Sequence, residues 1–183
     1  MTSASDKQGG CGQGAGPQAG RSAETSGPLT PDALDALARA LADERKAFAT
    51  YRAILDRFGE VRPFVNIVEA EQRHIGALLA LYARYGAPVP PDETIVDPSI
   101  LSLDIKALCE IGVDGEIENV RLYDEDLLPK VAAWPDVQAV LRRLRDASHD
   151  NHLPAFQRCA GRGEGGGGRG QGRGRRFRGG RNA

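Results

Sequence analysis

The chain has 183 residues and a formal net charge of −1, a length that suits one domain of ordinary size. Its charge is unevenly spread: seven Arg stand against one Glu from Gly161 onward, residues 1–27 balance, and the stretch between carries −7. No apolar run approaches the roughly 18 to 20 residues of a membrane span, and the N-terminus lacks the apolar core of a secretory signal. Cys11, Cys109 and Cys159 are odd in number and show no paired spacing, so neither a disulfide framework nor a zinc site is indicated. Together these features predict a soluble, unexported protein in a reduced, cytoplasmic setting.

Both ends are low in complexity. Residues 1–27 are mostly Gly, Ser, Ala and Gln, and residues 161–183 are Gly and Arg with a single aromatic, Phe177. Neither segment has the apolar residues needed to form a core, so both are expected to be disordered tails. Residues 28–160 hold nearly all the Leu, Ile, Val and Tyr, and about 133 residues suffice for one core.

The first element opens at Thr30-Pro31-Asp32: a capping residue, a proline at the first helical position and an acid in the first turn. Its large residues run Leu34, Leu37, Leu41, Glu44, Phe48, Tyr51, Leu55 and Phe58 at steps of three and four until Gly59 stops it. A second helix is expected from near Pro63 to Gly86, with the stripe Phe64, Ile67, Glu71, His74, Leu78, Leu81 and Tyr85. The short link makes the two helices antiparallel neighbours.

Residues 87–102 contain four prolines and can be neither a helix nor a central strand, so they form a long crossover. Ser102 is expected to cap a third helix reaching about Val131, with Ile105, Cys109, Gly112, Glu116, Val120, Tyr123 and Leu127 on its stripe. Gly112 and Gly115 each cost that helix roughly 1 kcal/mol, which points to close packing or a local bulge. A fourth helix starts at Trp134-Pro135-Asp136 and carries Val137, Leu141, Leu144, Ser148, His152, Ala155 and Cys159. Pro154 removes one of its backbone hydrogen bonds, which predicts either a kink beside His149 and His152 or a frayed end.

Each apolar stripe is therefore interrupted by a polar residue. A buried, unpaired carboxylate costs several kcal/mol and persists only beside a partner such as a metal, a proton or a cation. Counted from the two turns at 1.5 Å per residue, Glu44, Glu71, His74, Glu116 and His152 fall within about a turn of one level. Glu-x-x-His on one helix is the half-site of di-metal carboxylate bundles. Tyr51 and Tyr123, each seven residues after its helix's inward Glu, are read as core residues.

A lone Glu, then Glu-x-x-His, a long crossover and a repeat of the pair resembles the ferritin-like superfamily. The segments Asp43-Glu44-Arg45-Lys46, Glu71-Gln72-Arg73-His74 and Asn151-His152-Leu153-Pro154-Ala155-Phe156 are more closely similar to the family known as domain of unknown function 2202. The resemblance implies an all-α, ferritin-like antiparallel four-helix bundle that binds one or two iron or manganese ions for oxygen or peroxide chemistry or for iron handling. It carries Glu44, Glu71, His74 and Glu116 over as ligands, with His152 from the fourth helix. There the pattern departs: His149-Asp150-Asn151-His152 stands where the family type has Glu-x-x-His. One bridging carboxylate is then absent, and His149, Asn119 or Asp150 is left to complete an asymmetric site with a weaker second ion. The competing expectation is a non-catalytic scaffold whose Arg/Gly-rich tail contacts RNA or DNA phosphates. A homodimer is compatible with either.

Overall fold

A computed structural model describes residues 27–161. Both terminal tails, and the nucleic-acid contact expected of the Arg/Gly-rich one, lie outside the described residues. Among those residues the regular structure is helical throughout: α1 (Pro31–Phe58), α2 (Phe64–Tyr85), α3 (Ile105–Leu122), α4 (Leu128–Lys130), α5 (Pro135–Ala147) and α6 (Leu153–Ala160). A π turn over Tyr123–Leu127 joins α3 to α4, and another over Ser148–His152 joins α5 to α6. The molecule therefore has four helical rods, as the stripes predict.

Local chemistry accounts for the ends. Thr30 caps α1 by accepting the Ala33 amide at 3.3 Å, ahead of Pro31. Gly59 (φ 76°) and Gly86 (φ 61°) end α1 and α2 in backbone conformations that a side chain disfavours. The cap of α3 is Asp104, whose carboxylate accepts the Ala107 amide at 2.9 Å, and not Ser102. Ser102 instead closes a short 3₁₀ segment, Pro98–Ser102, at the end of the crossover. Arg45 of α1 pins the crossover by donating to the carbonyls of Pro90 and Pro91.

Two apolar clusters hold the rods together. One joins the start of α1 (Leu37, Leu41), the end of α2 (Leu78, Tyr82), the end of the third rod (Tyr123, Leu127) and the start of α5 (Val137, Leu141). The other joins Ile54, Phe64, Ile67, Leu108, Cys109 and Phe156 from the opposite ends of the same rods. This pairing of starts with ends makes α1 antiparallel to α2 and the third rod antiparallel to the fourth. Between the clusters lies a layer that is buried but polar.

The two π turns have a common cause. Pro129 and Pro154 each lack the amide an α-helix needs four residues on, and the chain answers with i to i+5 bonds, from Leu128 to Tyr123 and from Leu153 to Ser148. The fourth rod thus neither frays nor stops at Pro154. Its buried residues Leu144, Ser148, His152 and Phe156 are spaced by four throughout, which in an ideal helix drifts by about 40° per step. The wider turn absorbs that drift, so Phe156 takes the core position that simple periodicity gives to Ala155.

The expectation of unpaired cysteines is corrected. Cys109 and Cys159 form a disulfide between α3 and α6, with Cα atoms 5.9 Å apart. Their separation of 50 residues hides the pairing from a reading of local spacing; only the antiparallel packing of α3 on α6 brings them together. No described helix is long and apolar enough to cross a membrane.

Two tests follow from this packing. A Cβ at Gly112 would lie 2.6 Å from Cδ1 of the fully buried Phe156, whereas one at Gly115 would meet nothing within 4 Å. Gly112→Ala should therefore destabilise the protein by about 1–3 kcal/mol, and Gly115→Ala should stabilise it by up to about 1 kcal/mol, both read by denaturant unfolding. Cys159→Ser should cost roughly 2–4 kcal/mol by the same measurement, since the bond closes a 50-residue loop.

Candidate metal centre

The polar layer consists of Glu44, Glu71, Glu116, Ser148 and His152, each no more than 5% exposed, with His74 half-buried beside them. Every rod contributes. Glu44 sits on α1 between Leu41 and Ile54, Glu71 on α2 between Ile67 and Leu78, and Glu116 on α3 between Cys109 and Tyr123. His152 holds the same level on the fourth rod, between Leu144 and Phe156.

The side chains form two groups that share one carboxylate. In the first, His74 Nδ1 lies 3.0 Å from Glu44 Oε2 and 3.2 Å from Glu71 Oε2. In the second, His152 Nδ1 lies 3.3 Å from Glu71 Oε1 and 3.6 Å from Glu116 Oε1. Within each group one ligand atom per residue falls within 4.8 Å of the others. The two imidazoles stack with ring centroids 5.8 Å apart. Despite these approaches, His152 Nδ1 makes no hydrogen bond.

Two tyrosines tie the carboxylates across the molecule. Tyr123 of the third rod donates to Glu44 Oε1 at 2.8 Å, and Tyr51 of α1 donates to Glu116 Oε1 at 3.3 Å. The clasp is reciprocal: each helix that supplies a lone Glu also supplies the donor for the other's. The sequence places these tyrosines in the core; the structure adds that their hydroxyls serve the site. The signal was the repeated seven-residue step.

Burial and the packed charges set the protonation of the layer. Burial, with the Glu44 carboxylate beside it, pushes Glu71 up to about 9. Burial opposes the charge on His74, but the Glu44 and Glu71 carboxylates outweigh it and raise the imidazole to about 9. Glu44 pays the same desolvation, yet its bonds with His74, Glu71 and Tyr123 hold it below the usual range. Tyr51 and Tyr123 are pushed well above theirs by burial and by Glu116 and Glu44 respectively.

The remaining candidates lie elsewhere. His149 is on the outer face with its side chain 52% exposed, and its Nδ1 approaches Asp150 at 2.7 Å. It does not supply the nitrogen-rich side expected of the fourth helix. Asn119 donates to Asp43 and stays outside both groups. Each group therefore offers two carboxylates and one imidazole, and the fourth rod adds the buried Ser148 to the layer. Asp43, off the α1 stripe and so without a periodicity signal, borders the layer and is raised to about 6 by burial and by Glu44.

A cavity of about 190 Å³ reaches the three glutamates from the groove between α1 and α3. Comparison with protein families, curated proteins and solved structures finds no match for this chain.

In the metal-free protein Glu71 keeps its proton to about pH 9 when folded against 4.5 when unfolded, and His74 to about 9 against 6.5. The folded chain therefore binds more protons than the unfolded chain between those values, and these groups make stability fall as pH rises. The melting temperature of chelator-stripped protein should decline from pH 6 to pH 9, with part of the decline lost in Glu71→Gln. Tyr123→Phe should cost about 1–3 kcal/mol at pH 7, because it strips a buried carboxylate of a donor.

Proposed function

We propose that this is a ferritin-like metal protein whose buried layer holds two iron or manganese ions. Glu44, Glu71 and His74 would bind one ion and Glu71, Glu116 and His152 the other. The observation that carries the reading is the pair of ligand groups sharing Glu71. The fit is chemical as well as geometric. His152 Nδ1 is buried, faces two carboxylates and has no hydrogen-bond partner, an arrangement that a cation completes. Three buried carboxylates without a cation would carry a large desolvation cost, and oxygen with imidazole donors suit iron and manganese.

When bound, such ions supply redox chemistry toward oxygen or peroxide, or oxidise and hand on iron. The chain's own part is to hold and tune them. Glu71 belongs to both groups, so the two sites would be coupled through one side chain. Tyr51 and Tyr123 fix the orientation of Glu116 and Glu44 by donating to one carboxylate oxygen of each. The apolar clusters on either side limit water. The proton that Glu71 keeps at neutral pH and the one on His74 must leave as an ion enters, so metal affinity should rise with pH. The resemblance to the domain of unknown function 2202 family implies the same fold and, for Glu44, Glu71, His74 and Glu116, the same ligand role. The Cys109–Cys159 disulfide favours an oxidising compartment over the cytoplasm expected from the sequence.

Metal analysis of protein expressed in iron- and manganese-supplied medium tests the proposal. Wild type should carry up to two ions per chain, Glu71→Ala should lose both, and His74→Ala and His152→Ala should each lose mainly one, with helicity retained by circular dichroism. A folded wild type that purifies metal-free and takes up neither ion would refute it.

A further inference from the structure

The cavity that reaches the glutamates is larger and less polar than ions or peroxide require. Its inner end is Glu44, Glu71 and Glu116, but its walls are Tyr51, Ile54, Phe64 and Leu108, of which Ile54, Phe64 and Leu108 are almost fully buried. An apolar cavity of about 150 Å³ is enough to hold benzene, and this one measures about 190 Å³. At Gly112 the helix admits Phe156, and Gly115, exposed at the mouth near Ile111, leaves the entrance open because nothing lies within 4 Å of where its Cβ would be.

We infer that this cavity binds a small organic molecule with an apolar, benzene-sized body and a single neutral, donor-bearing head, such as a hydroxyl. The body is set by the apolar walls. The head is set by acceptors: Asn119 lines the cavity and its Oδ1 is buried without a partner, while Glu44, Glu71 and Glu116 close the inner end. A carboxylate head is disfavoured by those acids and by Asp43, which lines the cavity but belongs to neither ligand group; together the four acids outnumber Lys46, the one cationic side chain of the lining. That such a molecule is presented to a metal centre rests on the function proposed above; that the cavity binds it does not.

Phenol is the probe, titrated into the full chain with and without its metal and followed by ligand-observed nuclear magnetic resonance, with benzoate and glycerol as comparators. The deciding variant is Gly115→Leu, which fills the mouth while replacing a poor helix former by a good one. Gly76→Leu is its control, on α2, where a Cβ also meets nothing within 4 Å and where the residue does not line the cavity. Phenol should bind saturably to wild type and to Gly76→Leu, and about tenfold more weakly to Gly115→Leu, a loss of roughly 1.4 kcal/mol. Benzoate and glycerol should bind weakly to all three. Absence of saturable phenol binding, equal binding by Gly115→Leu, or glycerol binding as well as phenol would overturn the inference. Metal uptake by the same preparation separates the two ideas: metal uptake without phenol binding overturns the cavity and leaves the centre, whereas phenol binding by a chain that takes up neither iron nor manganese supports the cavity and refutes the centre.

Discussion

The structure depends on one costly arrangement, three carboxylates buried at the same level between two apolar clusters. Isolated charges at that depth would be expelled or neutralised. Here the cost is met piece by piece: Glu44 by His74 and Tyr123, Glu116 by Tyr51, and Glu71 by keeping its proton. The solutions for Glu44 and Glu116 need partners from a different rod. The polar layer therefore fixes how the rods are placed along their axes, a job that interchangeable Leu and Val contacts do poorly.

A short stretch of α1 shows how tightly this is specified. Asp43 accepts from Asn119 of α3, Glu44 enters the core, and Arg45 reaches the crossover carbonyls of Pro90 and Pro91. Three consecutive side chains, pointing about 100° apart, fasten one helix to three different surroundings. Ion pairs on the outer faces, such as Arg145 with Asp124, are exposed and contribute little by comparison.

Periodicity and capping chemistry made the helices readable, because amphipathic stripes and Thr30-Pro31 or Trp134-Pro135 are local signals. The convergence of Glu44, Glu71, His74, Glu116 and His152 was also readable, since a charge repeated on an apolar stripe stands out and helical rise fixes its depth. What escaped the sequence was set by contacts distant along the chain or by local changes of period. Cys109 finds Cys159 only through packing. Phe156 replaces Ala155 in the core because the π turn adds a residue to the cycle, and the same shift leaves His149 outside. Asp104 displaces Ser102 as a cap because the 3₁₀ segment uses up the earlier residues.

The fourth rod is where the two halves of the molecule stop being copies. α1 and the third rod match, each with a Glu and a Tyr seven residues on, exchanging hydrogen bonds with each other. α2 brings Glu71 and His74 to the layer, whereas the fourth rod brings Ser148 and His152. A serine contributes no charge, so Glu71 is the sole carboxylate shared by the two groups. The layer consequently carries one acid fewer than a symmetric arrangement would, which lowers the desolvation cost of folding. It also ties both groups to a single side chain, so a movement of α2 would disturb both at once while a movement of the fourth rod would disturb one.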